Sequence, residues 1–277
     1  MEYSSPEIPE GINYSKTHPL VEFAYLAGGV LGGLFLALLA LGFFADRLAH
    51  YIPYGFERDI RLLVPDENHA APELQNYLEG LAARIVAQQA LPEEMAVTVH
   101  FVDDDTVNAY ATLGGHMVLF RGLLEKLPNE NALAMVMAHE IAHIKHRHVI
   151  RSLGSALVVG VAVSVFSSSL GDTLIAGVIG DTGELTGLKF SRSHESEADA
   201  TAMATLRQLY GHVHGGEDLF EALQEESGAE YVPEFLSTHP NIERRIARIE
   251  EEIAGTSPPT TALPAEFQQW FAPSKED

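Results

Sequence analysis

His139-Glu140-Ile141-Ala142-His143 is the stretch that decides how this 277-residue chain is read. On an α-helix, residues four apart stand one above the other, so His139 and His143 face the same way and can grip a single metal ion. Glu140 leans into the same cleft, where it can take a proton from a metal-activated water. These residue types at this spacing form the HExxH signature of zinc hydrolases. The flanking letters supply a helical context. Asn129 after Pro128 predicts an N-cap, and Leu133, Met137, Ile141 and Ile144 repeat as an apolar stripe. Val136, His139, Glu140 and His143 occupy another face, so the helix is expected to be buried on both sides, as a cleft wall would be.

A catalytic zinc needs three protein ligands and one open position. Downstream, residues 191–199 read Ser-Arg-Ser-His-Glu-Ser-Glu-Ala-Asp and open a predicted helix that runs to Tyr210, with Gly211 as its stop. Glu195 and Asp199 share one face of that helix, whereas Glu197 points roughly 200° away from Glu195. Glu195 is therefore the expected third ligand. Asp199 is expected to accept the outer N–H of a ligand histidine and fix its tautomer. An acidic first turn that only complements the helix dipole is the competing reading, and it loses weight beside the upstream motif. His146 and His148, past a filled ligand set, are assigned surface or supporting roles, and one Zn²⁺ per chain is expected.

At this point the residues carry a resemblance. His139–His143 continues as Ile144-Lys145-His146-Arg147-His148, followed by the 191–199 block, then Ser237-Thr238-His239-Pro240 with Arg245 beyond. Upstream, Asn108-Ala109-Tyr110-Ala111 and residues 114–124 are similar to an edge strand. Together these motifs, over about residues 95–250, resemble the CAAX-prenyl-protease/HtpX/BepA-like family of zinc metallopeptidases. The resemblance implies a gluzincin arrangement in which the glutamate ligand lies on the helix after the HExxH helix. It implies that an extended substrate pairs with the edge strand and that Asn108 holds the substrate backbone or its oxyanion. For His239 it implies either an oxyanion stabiliser or an inhibitory fourth ligand, and for Arg245 a supporting place beside the ligands. One departure is Thr112-Leu113 before Gly114, where relatives often carry proline.

The second large feature lies near the start. Residues 23–45 hold no charged side chain until Asp46 follows, long enough for the ~20 residues that cross a bilayer, and predict one transmembrane helix. A cleaved signal peptide fits less well, because four glutamates (2, 7, 10 and 22) stand against the single Lys16 before the apolar run. Arg47, Arg58 and Arg61 after it favour a cytoplasmic catalytic domain by the positive-inside rule, while some relatives of this family act outside the cytoplasm. Residues 152–180 form a second uncharged stretch broken at Gly171-Asp172, too short for two spans, and predict apolar helices packed over the site or dipping into the interface.

The expected fold class is α+β and mostly helical, with a small β-sheet and an active-site helix in a gluzincin-like domain preceded by one transmembrane helix. The expected division is a polar segment at 1–22, the membrane helix at 23–45, a linker at 46–70, the metallopeptidase domain at 71–255 and, at 256–277, a mobile tail or one docked on the surface. Within it, residues 72–90 predict an amphipathic helix and 97–102 a strand. Asp103-Asp104-Asp105 predicts a turn rather than a calcium loop, and Ile242, Ile246, Ile249 and Ile253 mark a last core helix. A net charge of -22 argues against nucleic acid and anionic lipid as partners of the surface. The expected partners are protein or peptide substrates, membrane proteins among them, and the bilayer itself through 23–45. The expected activity is that of a single-pass, membrane-anchored zinc endopeptidase in protein quality control, in the inner or plasma membrane if bacterial. The alternative is a metal-binding, non-proteolytic chaperone or adaptor whose latent site is capped by His239.

Overall fold

The computed structural model describes residues 18–48, 51–58, 60, 64–65, 70–154, 190–226, 233–239, 242–253 and 258–271. The chain divides into two units, Met1–Phe44 and Ala45–Asp277. The first contains most of helix α1 (Pro19–Leu48), which starts on a proline, the residue best tolerated in a first turn. Its segment Pro19–Ala40 is long and apolar enough to cross a membrane. Leu20, Phe23, Leu26, Val30, Leu31 and Phe35 stand exposed along it, so this apolar surface is not used to build a core.

The second unit is a helical domain around a three-stranded sheet. Helix α2 (Tyr54–Arg58) is short, and α3 (Pro72–Gln89) begins on a proline and ends at Ala90 in the left-handed conformation. Leu74, Leu78, Leu81 and Ile85 recur at helical spacing and are all fully or almost fully buried. Strand β1 (Thr98–Val102) turns Val99 and Phe101 inward, as its alternation predicts. Strands β2 (Ala109–Thr112) and β3 (His116–Phe120) complete the sheet in the order β1-β3-β2, with β1 and β3 parallel and β2 antiparallel to β3. Of the block expected to form an edge strand, only β2 lies at an edge. Residues 116–120 are central, which suits the unbroken burial of Met117, Val118 and Leu119. The turn between β2 and β3 passes through Gly114 and Gly115, both with φ near +80°, and a Cβ at Gly115 would meet the Ala96 carbonyl oxygen at 2.0 Å. In the Asp103–Asp105 turn, Asp104 accepts the Thr106 backbone N–H (2.8 Å), and Asp103 and Asp105 pair with Arg121.

After the single turn α4 (Arg121–Leu124), helix α5 (Glu130–Lys145) runs through the middle of the domain and is buried from Glu130 to Ile144. Asn129 caps it, accepting from the Ala132 N–H at 2.8 Å. Its other neighbours are α6 (Arg192–Tyr210), capped by Ser191 and closed by left-handed Gly211, and α7 (Asp218–Glu226). The five-residue α8 (Glu234–Thr238) and α9 (Ile242–Ile253) follow. Near the start of α5, Glu130 is 7% exposed and accepts from Tyr77 (2.8 Å), Tyr210 (2.8 Å) and Arg84 (3.0 Å), tying α3, α5 and α6 together.

Of the two expectations for the tail, mobile or docked, residues 258–271 take the second and differ from the mobile one: Phe267 and Phe271 are buried, and Trp270 meets Tyr77 and Phe267. The reason is long-range pairing as well as apolar area. Thr261 donates its N–H to Asn131 (2.8 Å) and accepts from the Glu130 N–H (2.9 Å), which satisfies the first turn of α5. Most of the 152–180 stretch, the 1–17 segment and most of the 46–70 linker's second half lie outside the described residues.

Phe267→Ala is expected to lower the unfolding free energy by about 3–5 kcal/mol, the usual cost of emptying a buried phenylalanine site. Chemical denaturation of the detergent-purified chain checks this, and an unchanged midpoint would contradict the packing.

Candidate metal centre

Helix α5 presents His139, Glu140 and His143 from its buried middle, and α6 presents Glu195 and Asp199 one turn apart. His239, at the C-terminal end of α8, and Arg245, on α9, close the group from the other side. All are buried. One ligand atom from each of His139, His143, Glu195 and His239 lies within 4.8 Å of the rest. The Nε2 atoms of His139 and His143 are 2.9 Å apart, and the Glu195 oxygens stand 3.6 Å and 3.4 Å from them. His239 Nδ1 is 3.1 Å from His139 Nε2 and 3.2 Å from both Glu195 oxygens.

The chemistry of this donor set suits a cation. Asp199 approaches His139 Nδ1 at 3.1 Å and can only accept, so Nδ1 carries the ring proton and Nε2 turns a lone pair toward the cluster. A nitrogen lone pair and a buried carboxylate this close repel each other unless positive charge lies among them. Bonds of ~2.1 Å to a tetrahedral ion would set ligand atoms ~3.4 Å apart, and the separations above bracket that value. Two imidazoles and a carboxylate are the donors of a zinc-type site.

Arg245 holds the carboxylates. Its guanidinium donates to Asp199 at 2.6 Å and 2.9 Å and reaches Glu195 at 3.2 Å. Nη2 is 2.9 Å from both nitrogens of His139, which puts it against the ring rather than on one acceptor. Burial would raise the Asp199 carboxyl, but Arg245 and His139 overcome it and hold Asp199 well below the usual range. Burial acts the same way on Glu195, and His239 and His143 outweigh it. Burial lowers His139 to about 4, with Arg245 adding to the effect, and takes His143 well below its ordinary value, so both rings are neutral, the form a metal requires.

Glu140 has a different environment. No side chain hydrogen-bonds its oxygens among the described residues; the Ala111 backbone N–H acts on it weakly, and His239 Nε2 stands 3.4 Å away. Burial, reinforced by Glu195 against the pull of His239, pushes its carboxyl up to about 7. Asn108 stands just before edge strand β2. Its Oδ1 accepts from the Ala109 N–H (2.8 Å), while Nδ2 is buried and unpartnered among the described residues.

Two side chains to which the spacing gave no definite part also belong here. His148 is fully buried, with its Nδ1 2.9 Å from His143 Nδ1 and its Nε2 3.1 Å from Glu197. Burial, with His143 and His194 adding to it, holds His148 neutral. Glu197 does point away from Glu195, as the helical angle requires, and it thereby meets His148.

With this geometry in view, the comparison with known proteins is direct: residues 69–253 match the model of Peptidase family M48. The chain belongs to that family. It is 30% identical over 190 residues to the beta-barrel assembly-enhancing protease of Escherichia coli (strain K12), covering 64% of this chain and 38% of that protein. Against the protein of the same name in Yersinia pestis the identity is 30% over 212 residues, 71% of this chain and 42% of the relative. Against the mitochondrial metalloendopeptidase OMA1 of Schizosaccharomyces pombe it is 30% over 177 residues, 63% and 52%. The chain thus spans roughly two-fifths to one-half of these relatives. That family is one of peptidases, and the Schizosaccharomyces pombe relative is named a metalloendopeptidase.

Arg245→Met would leave the buried Asp199 carboxylate without its cation. The expected loss is about 3–5 kcal/mol of stability at neutral pH, the cost of breaking a buried pair from one side. Denaturant titration of wild type and variant measures it, and a loss below ~1 kcal/mol would contradict the arrangement.

Proposed function

We propose that this M48 chain is a membrane-anchored zinc metalloendopeptidase, with His139, His143 and Glu195 as the ligands and Glu140 as the general base. The observation that carries the reading is the buried cluster of three metal-type donors with a second buried carboxylate, Glu140, raised to about 7 beside it. A binding module would have no use for that carboxylate. The ion, when bound, supplies Lewis acidity, polarising a peptide carbonyl and making a water more acidic. Glu140, buried and raised toward neutrality, takes a proton from that water and returns it to the leaving amine. Asp199 and Arg245 orient His139 and Glu195, so that the ring and carboxylate meet the ion in fixed positions. An extended substrate adds along the outer edge of β2, which has no partner strand among the described residues, with Asn108 Nδ2 donating to its backbone or to the developing oxyanion.

The family match over 69–253 supports a single catalytic domain within 71–255, and α1 supports anchoring by one span. The names of the bacterial relatives support substrates among membrane or envelope proteins and a quality-control role.

A second state of the same site is favoured by one specific observation, the position of His239 Nδ1 among the ligand atoms. There His239 closes the fourth position and the enzyme is latent. If His239 instead stabilises the oxyanion, its side chain is needed for turnover.

Two variants test these roles, with casein cleavage by the detergent-purified, zinc-loaded chain as the assay. Glu140→Gln is expected to keep metal and fold while cutting turnover by ~10²–10⁴-fold, and undiminished cleavage would sink the assignment. His239→Ala separates the two states: a capping role predicts a rise in cleavage, and an oxyanion role a fall of ~10²–10³-fold.

A further inference from the structure

Arg147 has φ of 56°, a left-handed conformation that costs a non-glycine residue ~1–2 kcal/mol. It stands where the chain leaves α5. Had the helix run on, positions 143 and 148 would differ by about 140° around the axis, and their side chains could not meet. The turn at His146 and Arg147 breaks that phase and returns His148 to the outer edge of His143. Arg147 is secured there by donating to Glu57 Oε1 at 2.6 Å. A backbone strain that persists inside a well-packed domain points to a role for the residue it positions.

What it positions is a chain of donors and acceptors. Glu197 offers only acceptors, and His148 Nε2 lies 3.1 Å from one of its oxygens, so the His148 proton is on Nε2. The Nδ1 of His148 is then a lone pair, 2.9 Å from Nδ1 of His143. For that contact to be a hydrogen bond, His143 must carry its proton on Nδ1. Its Nε2 is then a lone pair turned to His139 and Glu195. The parts of this chain are fixed from outside. The His148 ring lies flat on His194, with centroids 4.3 Å apart and planes at 10°, and the other Glu197 oxygen is 3.3 Å from His146 Nδ1.

We propose that Glu197 and His148 form a relay that fixes the tautomer of His143, making both positioning residues for the metal, as Asp199 is for His139. The inference rests on His143 being a metal ligand. It gives each ligand histidine its own carboxylate, one direct and one acting through a second imidazole, both from α6.

The test uses pairs of variants that differ in acceptor capacity. Zinc affinity of the full chain in detergent is measured by competition with a chromophoric chelator, and the Co²⁺-substituted absorption spectrum reports ligand geometry. Glu197→Met and Glu197→Gln both remove the charge, but only Gln keeps an oxygen that can accept from His148 Nε2. Glu197→Met is expected to bind zinc about 10-fold or more weakly, in the range for lost outer partners of metal-bound histidines, and to alter the Co²⁺ spectrum. Glu197→Gln is expected to stay within about threefold of wild type. Likewise His148→Asn, which keeps an acceptor near the place of Nδ1, is expected to bind more tightly than His148→Leu. Glu197 is half exposed, so its pair decides the matter even if His148→Leu fails to fold. Equal affinities for Glu197→Met and Glu197→Gln, whether both weak or both like wild type, would overturn the relay and leave the metal site standing. A wild-type chain that binds no zinc would overturn the metal site itself.

Discussion

The burial of α5 on every side governs this domain. A helix in the centre of a core is ordinarily apolar all round, yet α5 carries two histidines and two glutamates there. Each polar group on it must find a partner from another element, because an unsatisfied one costs several kcal/mol in such surroundings. Glu130 is met by α3 and α6, and the first-turn N–H of the helix by the C-terminal segment. His139 and His143 are met from α6, and Glu195 joins them in the space between. Glu140 has no side-chain hydrogen bond among the described residues and its carboxyl is raised to about 7, and that exception marks where chemistry is expected. The same need for partners that specifies the packing thus also assembles the site.

Much of this was legible because it follows fixed spacings. The four-residue step from His139 to His143, and again from Glu195 to Asp199, holds on any regular helix, and Asn129, Ser191 and Gly211 carry the chemistry of helix ends in their side chains or lack of one. The family motifs ordered these pieces along the chain. What escaped the sequence is what regular geometry does not govern. The approach of His148 to His143 depends on a left-handed residue that is an arginine, with no glycine to signal it. Glu197 could be excluded as a partner of Glu195 by angle, but the angle says nothing about what stands on the other face. Residues 258–271 have no apolar period, and their proline content resembles that of a solvated tail. Their docking depends on three aromatic rings and one threonine pairing across more than a hundred residues.

The sheet contributes through position. With β3 central, the outer edge of β2 has no partner strand among the described residues, and it lies beside the helix that bears the histidines, where the proposed extended peptide would be read. The two glycines of the turn let β2 and β3 lie antiparallel, with the backbone at Gly115 so close to Ala96 that no side chain would fit there.

The clasp at Glu130 has a bearing on motion. Two phenols and a guanidinium from neighbouring helices converge on that carboxylate, so α3, α5 and α6 cannot slide past one another without stranding it. Histidines 139 and 143 and Glu195 therefore ride on one stiff body. His239 caps the C-terminus of a five-residue helix outside the clasp. Three corners of the candidate centre thus ride on the clasped helices, and the fourth rides on a piece held separately, by buried Phe235 and its N–H on the Val107 carbonyl, so exchange at that corner between imidazole and substrate leaves the clasp itself intact.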